Sequence, residues 1–211
     1  MAEVALRPID DSDLDALFEQ MRDPESVQMA AFTAENPDDR AAFDVHMAKV
    51  RALPGAANRA VTVDGRLVSS IASFVVDGDT EVTYWIDRSF WGQGIVGRAL
   101  ALLLESVRVR PVFARAASDN VRSLKVLQRA GFAIIGTAIG FANARNSGHL
   151  MWGYGNVPRW WRTPRQRRLA DAARRARCAN RRRPGNTLGR THATLAAPAR
   201  TPAGAPRKTG Q

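Results

Sequence analysis

Seven residues constrain this chain more than any others: Trp91-Gly92-Gln93-Gly94-Ile95-Val96-Gly97 join a strand-like stretch ending at Ile86 to the apolar helical pattern Ile95, Leu100, Leu103, Leu104 and Val107. A strand that turns through glycines into a helix lets the backbone approach a ligand closely. The first turn of such a helix presents unpaired N–H groups and about half a positive charge, which suits an anion, phosphate above all. The same residues also serve as a tight turn with no ligand. Neither common nucleotide fingerprint fits: the P-loop ending Lys-Ser/Thr is missing, and the glycines follow an antiparallel meander where the dinucleotide motif would open a βαβ unit.

That meander is read from turn chemistry. Ala60 to Val63 and Arg66 to Val76 flank Asp64-Gly65, and Asp77-Gly78-Asp79 marks a second turn before Glu81 to Ile86. Ahead of it lie a short strand at Val4 and Leu6 and two helical patterns, Leu14, Leu17, Phe18, Met21 and then Phe43, Met47, Val50, Leu53. Behind the glycine turn come a strand at Pro111 to Ala114, a helix from Asn120 to Ala130 ended by Gly131, and a strand from Phe132 to Ile139. The order β-α-α-β-β-β-α-β-α-β predicts an α/β fold, a mixed and mostly antiparallel central sheet flanked by helices.

Charge divides the chain in two. Its net charge is +11, yet residues 1 to 150 hold 16 Lys+Arg against 19 Asp+Glu, and residues 151 to 211 hold 15 against 1. The reading is therefore a domain over residues 1 to 155 and an Arg/Ala/Pro-rich basic tail over residues 156 to 211, partly helical or disordered. With 45% hydrophobic residues the first part can bury a core. The lone Cys178 excludes an internal disulfide and fits a reducing compartment. No signal-peptide pattern opens the chain, and no apolar run approaches the roughly 18 residues of a membrane span. The expectation is a cytoplasmic protein.

At this point the residues resemble the GNAT superfamily of N-acetyltransferases, RimJ/RimL-like (ribosomal-protein-alanine acetyltransferase) branch. Tyr84-Trp85-Ile86 and Trp91-Gly92-Gln93-Gly94-Ile95 look like its acetyl-CoA pyrophosphate loop, and Ser118-Asp119-Asn120 through Ala130-Gly131-Phe132 is similar to the block that follows it. The resemblance implies an acetyl-CoA-dependent transferase acting on a primary amine, with no metal. Backbone amides of Gln93, Gly94, Ile95, Val96, Gly97 and Arg98 would hold the pyrophosphate. Tyr84, Trp85 and Ile86 would pair with the pantetheine like an added strand. Asn120 would hydrogen-bond the cofactor arm, and Arg98, Arg122, Lys125 and Arg129 are candidates for outer phosphate contacts. Val96 departs from the family's usual Gly or Ala, so its side chain must point away from the phosphate.

Acetyl transfer to nitrogen needs an uncharged amine, a stabilised oxyanion and a proton for the leaving thiolate. An α-amine, with a reference pKa near 8, is partly neutral at pH 7, so a modest base acting through water suffices. The resemblance points to Glu81 as that base. The family's usual acid, a Tyr, is replaced by Leu127, and Ser123, where the RimL-like branch has a candidate acid, is the best remaining donor. A helix serine bonded to its own backbone is the competing reading; His46 and His149 are weaker alternatives. Residues 1 to 44 hold 12 acids and 3 bases, which attracts an amine acceptor, a peptide N-terminus or a small molecule.

After Arg145 the family's acidic turn and last strand give way to N-S-G-H-L-M-W-G-Y-G-N. His149 to Tyr154 can still form a strand. Two further readings stem from this change: a catalytically impaired fold that still binds acetyl-CoA, and a basic arm over residues 158 to 211 that contacts nucleic acid or the ribosome. A shifted reading frame is a third source of the altered C-terminus. No membrane contact is expected.

Overall fold

The computed structural model describes residues 2–156. Apart from Asn156, which the structure includes, the basic tail lies outside them, and with it the readings of an RNA- or ribosome-binding arm. Seven strands, β1 (Val4–Pro8), β2 (Ala57–Val63), β3 (Arg66–Val76), β4 (Asp79–Ile86), β5 (Val112–Ala117), β6 (Ala133–Ala142) and β7 (Ser147–Asn156), form one sheet in the order β1-β2-β3-β4-β5-β7-β6. Every neighbouring pair is antiparallel except β4 with β5.

The predicted turns fall where the sequence puts them. Asp64 and Gly65 close the β2–β3 hairpin at φ 49° and 80°, Asp77 and Gly78 the β3–β4 hairpin at φ 52° and 89°, the left-handed pairs that two-residue hairpins require. Three helices, where two were expected, precede β2: α1 (Leu14–Arg22), α2 (Pro24–Ala30) and α3 (Arg40–Arg51). The Asp23-Pro24 pair that separates α1 from α2 starts a helix as well as ending one. The Asp23 carboxylate accepts from the Ser26 N–H at 2.9 Å, and Pro24 takes the first helical position, where its missing N–H costs nothing.

α4 (Ile95–Ser106) makes the crossover from β4 to β5, and α5 (Val121–Arg129) leads from β5 to β6. Both cover one face of the sheet. Val61, Val68, Val82, Tyr84, Leu100, Leu103, Ala114 and Leu127 form the main core there. On the opposite face Leu17 of α1 and Met47 of α3 pack on Ile9 and Ala60, and Phe32 with Met151 closes a smaller cluster beside β5 and β7. Alternation along β4 therefore sends Val82, Tyr84 and Ile86 to one helical layer and Glu81, Thr83 and Trp85 to the other. Trp85 confirms the second direction by donating its indole N–H to the Gln20 carbonyl of α1 at 2.8 Å.

The altered C-terminal sequence builds a complete strand. β7 pairs with β5 from Ala117↔Met151 to Val112↔Asn156 and with β6 along nearly its whole length, and Tyr154 is 1% exposed. No helix among the described residues is long and apolar enough to cross a membrane.

Candidate active site

The parallel pairing of β4 with β5 is short. Only Thr80↔Val112 and Glu81↔Phe113 are in register. Beyond that rung β4 keeps its β3 partners as far as Ser69↔Ile86, while β5 turns to β7 alone. A wedge therefore opens between the two strands, with Glu81 at its closed end and Ile86 at its mouth, about 17 Å away at 3.3 Å per residue. Past that rung β4 and β5 no longer pair with each other, and a strand parting from its neighbour is the kind of surface an extended ligand can join.

The glycine turn stands at the mouth. Gly92 and Gly94 take φ of 78° and 74°, and Gly94 is the N-cap of α4. Having no side chain, Gly94 caps none of the helix's first amides, and the first backbone bond of the helix runs from the Arg98 N–H to the Gly94 carbonyl at 3.3 Å. A row of amides at a left-handed turn is an anion cradle. Ile95 and Val96 point into the core, 2% and 8% exposed, so the β-branched Val96 leaves the turn's outer side clear. Gln93 is exposed and donates to the Ser89 carbonyl at 3.2 Å. Trp91 is tied by its indole N–H to the Ile86 carbonyl at 3.1 Å, and the Arg122 guanidinium lies 5.7 Å from its ring centre.

Of the other candidate cations, Lys125 and Arg129 are exposed on α5, and Arg98 donates to the Ala2 carbonyl at 2.7 Å. Asn120 is the N-cap of α5 and is 0% exposed. Its Oδ1 accepts from the Ser123 N–H and its Nδ2 donates to the Met29 carbonyl, both at 3.2 Å, so this side chain ties the end of α2 to the start of α5 across the wedge.

Ser123 does not bond its own helix backbone through its hydroxyl in the way the competing reading assumed. Its Oγ meets the Tyr84 hydroxyl, and both groups are buried. Burial pushes the Tyr84 phenol well above its ordinary value despite that bond, so it stays a protonated donor. Leu127, at the position where a tyrosine was expected, is a core residue at 0% exposure.

Glu81 is neither a lone base nor a solvated strand end. Its side chain is 16% exposed, and Oε2 accepts from Arg115 Nε at 3.0 Å and from Arg115 Nη2 at 2.5 Å. Sequence reasoning missed Arg115. The signal was one charge inside an apolar strand, Val112-Phe113-Ala114-Arg115-Ala116-Ala117, two residues beyond the rung that pairs with Glu81. His46 is exposed on α3. His149 belongs to a separate cluster, its Nε2 3.1 Å from Asp119, which also takes a 2.6 Å bond from Arg145. Burial alone would raise the Asp119 carboxyl, but Arg145 and His149 bring it below its ordinary value.

Most acids of the first 44 residues have an arginine partner, though several share one. Arg7 binds Asp13, Arg22 binds Glu19 and Asp38, Arg40 binds Asp15 and Asp44, Arg51 binds Asp11, and Arg88 binds Asp23 and Glu25. Three of these five arginines are already in the count of 12 acids and 3 bases, so Arg51 and Arg88 only lower the excess of negative charge from nine to seven, and the helical roof stays acidic.

The profile of the acetyltransferase (GNAT) domain family matches residues 3–133. No curated protein matches the chain. Among solved structures the fold is similar to Mycobacterium smegmatis RimJ in complex with CoA-disulfide, at 20% identity and a TM-score of 0.64, covering 81% of this chain and 90% of that one. It is also similar to RimL, the ribosomal L7/L12 α-N-protein acetyltransferase, in complex with coenzyme A, at 20% identity and 0.63, covering 73% and 93%. A ribosomal-protein-alanine N-acetyltransferase from Brucella melitensis gives 19% and 0.62, covering 73% and 99%. At these identities the likeness is one of fold, whereas the profile spans most of the described residues and both motifs. With the wedge, the glycine cradle and the sheet order in agreement, this chain belongs to the GNAT acetyltransferase family.

Proposed function

We propose that this protein transfers an acetyl group from acetyl-CoA to a primary amine, with a peptide N-terminal α-amine as the preferred acceptor class. The observation that carries the reading is the wedge itself: an anion cradle at one end of the gap where β4 parts from β5, and a carboxylate at the other. The amides from Gln93 to Arg98 would hold the pyrophosphate, with Arg122, Lys125 and Arg129 near the remaining phosphate. The β4 edge at Tyr84 to Ile86 would pair with the pantetheine amides, and Asn120, between α2 and α5, would line the arm. RimJ and RimL, solved with CoA-disulfide and coenzyme A, have similar folds and support this assignment.

In the reaction the amine nitrogen bonds to the thioester carbonyl carbon and the carbon–sulfur bond breaks. Glu81 accepts the proton lost by the amine, through water. Ser123, held by the protonated Tyr84, supplies the proton that the leaving thiolate needs, and solvent restores it. The products are an amide and the free thiol of CoA. An α-amine fits a site with one modest base because, with a pKa near 8 against 10.4 for lysine, it enters neutral far more often.

The test is incubation of the full chain with acetyl-CoA and three acceptors: an alanine-initiated peptide, an aminoglycoside and spermidine. Mass spectrometry should find the gain of one acetyl group at the peptide N-terminus. Acetylation of the small amines alone would move the acceptor class, and no acetylation with no CoA release would refute the enzymatic reading.

A further inference from the structure

We infer that Arg115 is a positioning residue of the acetyl-transfer site: it fixes the Glu81 carboxylate at the apex of the wedge and cancels its charge, which sets the preference for a neutral amine over an ammonium. The inference rests on the proposed role of Glu81 as base.

Three observations carry it. First, the contact is directional. Both guanidinium bonds converge on a single oxygen, Oε2, at 3.0 and 2.5 Å, so the carboxylate is oriented through one oxygen while the other is not spent on Arg115. Second, the pair is anchored by the sheet. Glu81 lies on the last parallel rung opposite Phe113, and Arg115 follows two residues later on the same face of β5. A rotation of either strand would break the bond, so the pair senses the geometry of the wedge apex. Third, the pair is shielded. At 16% and 23% side-chain exposure the two charges are mostly out of water, where their mutual cancellation is stronger than on the surface.

The space around the pair fits an incoming acceptor. Arg115 is in register with Gly153 of β7, which in turn is in register with Gly136 of β6. Neither glycine carries a side chain here; a Cβ built on Gly136 would meet nothing within 4 Å, and one on Gly153 would only touch Gly136 O at 3.7 Å and Ile135 Cγ1 at 3.8 Å. Beyond them the face is closed by Phe32 and Met151. An amine reaching Glu81 over this floor meets a neutral ion pair. An uncompensated carboxylate would instead hold the ammonium form, which cannot attack the thioester.

The consequence is a division of labour that a purely structural ion pair would not show. Removing the guanidinium should leave acetyl-CoA binding unchanged, because the cradle at α4 lies at the other end of the wedge. It should lower the rate of transfer and erode the preference for α-amines over lysine ε-amines. A single ammonium can restore the effect, because both bonds from Arg115 fall on one oxygen.

The experiment compares the native protein with Arg115→Met, Arg115→Lys and Glu81→Gln, each checked for folding by thermal unfolding. The acceptors are an alanine-initiated peptide and an Nα-acetylated lysine peptide, with kcat and KM for acetyl-CoA measured separately. The expected result is that Arg115→Met loses about tenfold in kcat, short of the roughly hundredfold or larger contribution of a general base itself, with KM for acetyl-CoA unchanged and a smaller α-to-ε preference. Arg115→Lys recovers most of both. If Glu81→Gln loses activity while Arg115→Met keeps native kcat and selectivity, or loses only thermal stability, Arg115 is a structural partner and the inference is overturned while the base assignment stands. If Glu81→Gln is fully active, the base assignment fails and the inference fails with it. If native protein acetylates neither peptide, the peptide reading and this inference are both overturned.

Discussion

The hydroxyls of Tyr84 on β4 and Ser123 on α5 are hydrogen-bonded to each other in the core, one strand and one helix bordering the same wedge. This pairing makes Ser123 more than a helix serine. Its hydroxyl is oriented by a phenol that stays protonated, because burial raises the Tyr84 phenol far above the range where it would ionise. The two hydroxyls meet one turn of α5 before the core residue Leu127.

Separating the two hydroxyls distinguishes chemistry from packing. Ser123→Ala and Tyr84→Phe each strand one buried hydroxyl and should cost about 1–3 kcal/mol of stability, read by denaturant unfolding. Only Ser123→Ala should also reduce kcat by about a hundredfold, the low end of general acid effects. Equal stability losses with native kcat in both variants would leave Ser123 a structural residue.

The cradle depends on one backbone conformation. Gly94 holds φ 74° with open space where a Cβ would stand, so the penalty for a side chain there is conformational rather than steric. Gly94→Ala should destabilise the fold by about 1–2 kcal/mol and weaken acetyl-CoA at least about tenfold by tilting the first amides of α4, the equivalent of about 1.4 kcal/mol of binding. Calorimetric titration of the variant checks this. Native affinity would place the phosphate elsewhere.

Acid should loosen the N-terminal corner. Arg7 binds Asp13 through two bonds of 2.6 and 2.7 Å, the Asp13 side chain is 6% exposed, and the hydrogen bond from Arg7 holds its carboxyl below the usual value in spite of desolvation. A depressed folded pKa contributes stability that is fully present above the unfolded value near 3.9 and is lost as pH falls through the lower folded value. Asp13→Asn should therefore unfold at lower denaturant than native protein at pH 7, with the difference shrinking below about pH 4. A constant difference down to pH 2 would contradict the pairing.

How much of this was legible beforehand follows physical lines. The meander announced itself because Asp64-Gly65 and Asp77-Gly78 have no other easy conformation, and β3 (Arg66–Val76) falls within the predicted limits. The first turn of α4 was equally readable, since glycines at Gly92 and Gly94 and a solid apolar face leave little choice. What stayed hidden depends on partners distant in sequence. α2 is seven residues long, too short for periodicity to reveal it, and β7, readable as a strand over His149 to Tyr154, gave no sign of its pairing between β5 and β6. Asn120 read as a cofactor contact, with no sign in the sequence that its carboxamide also caps α5 and ties it to Met29. Arg115 stood out only as a charge in an apolar strand, and its partner was hidden because a parallel rung between β4 and β5, separated by a whole helix, brings it to Glu81.

The most direct test of the central claim is thermal unfolding of the full chain with and without acetyl-CoA. At about 100 times the dissociation constant, binding to the native state alone adds about 2.7 kcal/mol, and at about 2–4 °C per kcal/mol for a domain of this size the midpoint should rise by about 5–11 °C. The account predicts that rise, and its reduction in Gly94→Ala. An unchanged midpoint at millimolar acetyl-CoA would contradict it.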